Sequence, residues 1–164
     1  MPFYASFNSI KTTKASSYGD SIPLLMNMYK KSCIAFDKIW AWEARNYSNW
    51  WKNVPKSLQS NISFFNEAVN ANSFETDLLT TSVHDYVVVK LDIDNTEAEM
   101  TIIDVIIKHN KLVDELFFEY HYYFDGLNFG WGKQENIKHT HNVSTAVNLM
   151  AKLRNMGIRA HFWV

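Results

Sequence analysis

The residues best equipped for chemistry fall in short polar groups, each closing an apolar run. Lys90-Leu-Asp-Ile-Asp94 closes the run that begins at Tyr86. In an extended strand alternate residues share a side, so Lys90, Asp92 and Asp94 project together at the edge of a cleft. Such a group can bind a substrate amine, a hydroxyl or a divalent ion, and it reads equally as a solvated, salt-bridged edge. Glu43 closes Lys38-Ile-Trp-Ala-Trp42. A carboxylate there can accept from both hydroxyls of a ribose, or it can face the positive end of the following helix. Asn66, Glu119 and His121 stand at or just past two further apolar runs. His139-Thr-His141 could offer two imidazoles to an ion, with His121 or Glu119 added from a strand end. Spacing supplies no third ligand, so no metal site is assigned. No Ser-His-Asp or Cys-His motif supports hydrolysis, and Cys33, at the end of a helical pattern, reads as a packed thiol.

The elements that must position these residues alternate along the chain. Residues 20–32 carry a cap at Asp20 or Ser21, Pro23 in the first turn, and Ile22, Leu25, Met26 and Tyr29 at helical spacing. A strand over Lys38–Glu43 and a helix over 46–57, disturbed by Pro55, follow. Next come a strand over Ile62–Asn66, a short helix over 73–82 and a buried strand over Tyr86–Asp92. Ile102, Ile103, Ile106 and Ile107 share one side of a helix over 96–109, and Leu116–Tyr120 is strand-like. Ser144 is the expected cap of a helix closed by Gly157, after which Ile158–Val164 alternates. This order predicts an α/β three-layer sandwich with a largely parallel sheet, in one domain spanning 1–164: a polar loop over 1–19 and an alternating core over 20–164. Such a fold normally starts with a central strand and a phosphate-facing turn. Phe3–Phe7 is a poor substitute because it lacks a Val/Ile run, so the first strand is expected to be missing. The glycines at 126, 130 and 132 precede no helix and suggest an aromatic loop over the cleft, not a phosphate cradle.

Composition narrows the function classes. The chain has 164 residues, 16 Lys+Arg against 17 Asp+Glu, and a single cysteine. A chain of this length buries roughly two-thirds of its unfolded surface, enough for a core without disulfides or structural metal. Near-neutral charge without a basic block argues against a nucleic acid partner. No run approaches the ~18 apolar residues needed to cross a bilayer, and the first twenty residues lack the apolar centre of a signal peptide. A soluble, cytoplasmic protein is therefore expected, and a lone Cys33 fits a reducing compartment.

The successive pieces Ile39–Glu43, Phe65–Val69, Val88–Asp94, Glu115–His121 and Leu153–Arg159 resemble the FkbM-type branch of S-adenosylmethionine-dependent methyltransferases, in order and spacing from about residue 20 onward. The resemblance is to eukaryotic, algal-type members. It implies a Rossmann-like methyltransferase sheet, S-adenosylmethionine as methyl donor, and O-methylation of a small hydroxylated acceptor. By position, Glu43 would hold the ribose and Asn66 to Ala68 would lie near the adenine. Lys90 to Asp94 would border the reacting centre, with His121 as general base. The chain departs from the family at the missing first strand with its glycine-containing turn, and at Asp92-Ile-Asp-Asn-Thr-Glu97, which lacks the usual glycine. A contrasting expectation follows from that departure: a non-catalytic interaction module whose unpaired central strand edge is covered by a partner or a second copy.

Overall fold

The computed structural model describes residues 2–6, 21–46, 50–121 and 140–163. In chain order the elements are β1 (Pro2–Ser6), α1 (Ser21–Lys30), β2 (Lys38–Trp42), α2 (Trp50–Asn53), α3 (Lys56–Gln59), β3 (Ile62–Phe65), α4 (Ala71–Leu78), β4 (Val88–Leu91), α5 (Thr96–Lys108), a 3₁₀ turn (Asn110–Leu112), β5 (Glu115–Phe118), α6 (Val143–Asn155) and β6 (Arg159–Phe162). The strands form one six-stranded sheet in the order β3-β2-β1-β4-β5-β6. Every pairing is parallel. The fold is α/β.

The first strand, expected to be missing, is present and central. Phe3 of β1 pairs with Ile39 of β2 on one side and with Val88 of β4 on the other. A run poor in Val and Ile serves because backbone bonding to two neighbours overrides side-chain preference. Pro2 stands at the first strand position, where the lack of an N–H is tolerated. The central edge that a partner was expected to cover is therefore filled by the chain itself. The glycine-containing turn expected to be missing and the expected aromatic loop both concern residues 7–20 and 122–139, which lie outside the described residues.

Strand alternation splits the apolar side chains into two clusters, one on each face of the sheet. Ile39 and Ala41 of β2 and Val88 of β4 pack with Ile22 and Leu25 of α1 and with Trp50 of α2. The opposite cluster holds Trp40 and Trp42 of β2, Val89 and Leu91 of β4, and Phe118 of β5, under Phe74 of α4, Ile103 of α5 and Met150 of α6. Burial on both faces accounts for the continuous apolar character of β4, as expected of parallel strands.

The helix ends have local causes. Pro55 cannot continue a helix, so the single element expected over 46–57 divides into α2 and α3. Asn142, not Ser144, caps α6: its side chain accepts from Thr145 N while the Thr145 hydroxyl accepts from Asn142 N. At the other end Gly157 takes φ +97°, which lets Gly157 N donate to Arg154 O at 3.0 Å and Ile158 N to Leu153 O at 3.2 Å. This is a Schellman closure, and it turns the chain back into β6.

The amino-terminal end of the sheet is fastened by Glu115, the first residue of β5. Its carboxylate accepts from Tyr29 Oη at 2.5 Å, Tyr86 Oη at 2.6 Å and Arg159 Nη2 at 3.1 Å, and lies 2.8 Å from His161 Nε2. Burial, and then the Glu115 carboxylate, push the Tyr29 hydroxyl far above its ordinary pKa. Glu115→Ala leaves these donors unanswered in a partly buried setting. It should cost about 3 kcal/mol, read as a lower midpoint in chemical denaturation with an unchanged slope.

Candidate functional site

Because all six strands run the same way, their carboxyl ends share one rim of the sheet. Glu43 directly follows β2 and Asn66 follows β3, while Asp92 and Asp94 lie past β4, and Glu119 and His121 past β5. Strand order runs outward from β1 through β2 to β3 on one side, and through β4 to β6 on the other. Neighbouring connections therefore part above β1 and β4, the place where parallel α/β sheets open a crevice. A cleft of about 250 Å³ is found there, lined by Glu43 and Arg45 after β2, Glu67 and Ala68 after β3, and Asp94 and Asn95 after β4.

Glu43 is buried, and its Oε1 accepts from Arg45 N at 2.8 Å. Burial raises its carboxyl above the ordinary range, against the pull of that backbone bond and of the Arg45 charge. Asn66 plays a different part from the one expected. Its Nδ2 donates to Glu43 O at 2.7 Å and to Arg45 O at 2.6 Å, so it braces the turn that presents Glu43. It is not among the residues that line the cleft, whereas Ala68 is.

The group past β4 and β5 is denser. Lys90, with 1% of its surface exposed, forms an ion pair with Asp92. Burial pulls the ammonium below its ordinary pKa, and the Asp92 charge opposes that pull. Burial and a hydrogen bond with Glu119 push Asp92 up to about 6. Glu119 shifts the opposite way: burial would raise it, but bonds to His121 and Asp92 outweigh burial. His121 Nε2 lies 3.5 Å from Asp94 Oδ1 and 3.7 Å from Glu119 Oε2, while its Nδ1 lies 3.3 Å from Glu99 Oε2. Burial alone would discharge this imidazole, yet the surrounding carboxylates overcome burial and raise it to about 10. The imidazole expected as a general base thus holds its proton more tightly than an ordinary histidine.

No family model, curated protein or solved structure matches the chain.

Of the residues expected to act, Glu43 and Ala68 meet in the cleft together with Asp94. Lys90, Asp92 and His121 form the buried charge group beside it. Glu99 was missed, although its position had a signal. It stands on the same helical stripe as Ile102, Ile103 and Ile106, so a carboxylate there is carried into the interior, where it is 1% exposed. Glu67 had no signal in the sequence. His139 lies outside the described residues, and His141 bonds through Nδ1 with Thr140 Oγ1 at 2.9 Å. Cys33 is exposed, not packed, and takes φ +59°. Among the described residues no helix is long and apolar enough to cross a membrane.

The His121 shift has a consequence for stability. The folded state holds this proton more tightly than an unfolded histidine, whose pKa is near 6.5. The stabilisation is complete below about pH 6.5 and is lost as pH rises through about 10. Urea midpoints measured from pH 6 to 10 should fall steadily, and His121→Gln should flatten much of that fall; a flat wild-type profile would contradict the assignment.

Proposed function

We propose that the chain is a Rossmann-like methyltransferase of three-layer build that binds S-adenosylmethionine and methylates a hydroxyl of a small acceptor, as the resemblance to FkbM-type enzymes implies. The observation that carries this reading is a buried carboxylate, Glu43, in a cleft where the strand order reverses. A carboxylate at the end of the strand beside the central one suits the two hydroxyls of a ribose, since each hydroxyl donates and the charge strengthens both bonds. Ala68, small and on the same cleft wall, leaves room for a flat base. The sulfonium end of the donor then points toward β4 and the Lys90, Asp92 and Asp94 group.

Methyl transfer is a single displacement. A lone pair of the acceptor oxygen attacks the methyl carbon, the C–O bond forms as the C–S bond breaks, and sulfur keeps the bonding pair to leave S-adenosylhomocysteine. Alignment supplies much of the acceleration. The acceptor proton needs a base, and Asp92, raised to about 6, is ionised at neutral pH and stronger than an ordinary aspartate. Lys90 holds Asp92 in place through their ion pair. His121, charged at neutral pH, balances the carboxylates around it and takes no proton.

Calorimetric titration with S-adenosylhomocysteine tests the donor site without knowledge of the acceptor. Micromolar binding is expected from the wild type. Glu43→Ala should weaken it by about 1.5–3 kcal/mol, the worth of a hydrogen bond to a charged group. Absence of binding at millimolar ligand by a folded sample would refute the reading and leave an interaction module in its place.

A further inference from the structure

Three side chains past neighbouring strands converge beside the cleft. Asp94, Glu119 and His121 each offer a ligand atom, and these atoms lie within 4.8 Å of one another. The separations of His121 Nε2 are 3.5 Å from Asp94 Oδ1 and 3.7 Å from Glu119 Oε2. They are close to the spacing of about 3.4 Å kept by two ligands on a tetrahedral ion with bonds of about 2.0–2.1 Å. Behind the ring stands a second feature. Glu99 is 1% exposed, and its Oε1 accepts from Ile93 N at 3.1 Å. Its Oε2 is buried without a hydrogen bond and lies 3.3 Å from His121 Nδ1. A buried carboxylate behind one ring nitrogen places the proton on that nitrogen and turns the lone pair of the other outward, the usual support of a histidine that binds metal.

Charge points the same way. Lys90 and Asp92 form their own pair, and Asp94, Glu99 and Glu119 face His121, with the Arg45 charge also acting on Asp94. A divalent ion lowers the negative excess of that group.

We propose that Asp94, Glu119 and His121 bind a divalent transition-metal cation, with Glu99 orienting the imidazole. One imidazole nitrogen and two carboxylates favour Mn²⁺ or Zn²⁺ over Mg²⁺ or Ca²⁺, which prefer an all-oxygen set. Three protein ligands leave at least one coordination position open. Asp94 lines the cleft and its side chain is 41% exposed, so the open position faces the cleft. An oxygen-bearing ligand fits it.

The full chain, freed of metal by chelation and dialysis, is titrated with Mn²⁺ and Zn²⁺, and in parallel with Mg²⁺. One equivalent of Mn²⁺ or Zn²⁺ should bind in the micromolar range, and Mg²⁺ should bind at least about tenfold more weakly. Asp94→Asn should weaken binding about tenfold or more, and Glu99→Gln, acting through His121, by about 10–100-fold. Asp94→Asn is the decisive variant, because its side chain is partly exposed and asparagine tolerates the left-handed backbone (φ +52°) found there. Asp104→Asn removes an exposed carboxylate of α5 outside the cluster and the cleft and should change nothing. The site is refuted if the folded chain binds neither Mn²⁺ nor Zn²⁺ at millimolar concentration, if Asp94→Asn binds as tightly as the wild type, or if Mg²⁺ binds as well as Mn²⁺. No nucleoside is present in these titrations, and S-adenosylhomocysteine is titrated separately in chelator, so failure of the metal site and failure of the methyltransferase reading give different results.

Discussion

The double pairing of β1, with β2 on one side and β4 on the other, is the constraint on which the rest of the rim depends. A parallel strand cannot turn directly into its neighbour. Each connection must cross over a face of the sheet, and this is why helices accompany the strands and why both faces are apolar. With β1 between them, β2 and β4 end side by side but one strand apart. The turn after β2 carries Glu43, and the turn after β4 carries Asp94. The cleft is the space that β1 keeps between those two turns. Without β1, β2 and β4 would have no common neighbour, and their turns would have no fixed distance.

Much of this could be read from residue order. The alternation of strand and helix, the burial of β4 and the grouping of polar residues at strand ends follow from periodicity, which reports which faces are buried. The first strand could not be read in that way, because Pro2-Phe-Tyr-Ala-Ser6 lacks a Val/Ile run and is held by backbone pairing with β2 and β4. The start of α6 was misplaced by two residues for a local reason: Asn142 and Ser144 are both good caps, and only the reciprocal bond with Thr145 selects between them. Asn66 was assigned to a ligand for want of knowing that two carbonyls lie within its reach. Histidine at position 121 was visible as a strand-end residue. Its charge was not, because that depends on Asp94, Glu99 and Glu119, which come from two other segments as well as its own.

The two ends of the sheet treat buried carboxylates in opposite ways, and the contrast separates structure from chemistry. At the amino-terminal end Glu115 meets two phenols, a guanidinium and an imidazole at 2.5–3.1 Å. Its lone pairs are used, and such a network rigidifies the strands it joins. At the carboxyl-terminal end Asp94, Glu99 and Glu119 surround one imidazole at 3.3–3.7 Å, while Lys90 pairs with Asp92 and the Arg45 charge acts on Glu43 and Asp94. Proteins seldom bury a polar atom without a partner, since it forfeits its hydration, and Glu99 Oε2 is such an atom here. A carboxyl excess held open by the fold, at the rim where parallel sheets take their ligands, is better understood as capacity for a positive species than as a means of stability. Both the sulfonium of a methyl donor and a divalent cation are positive, and the same electrostatic field would draw either to the end of β4.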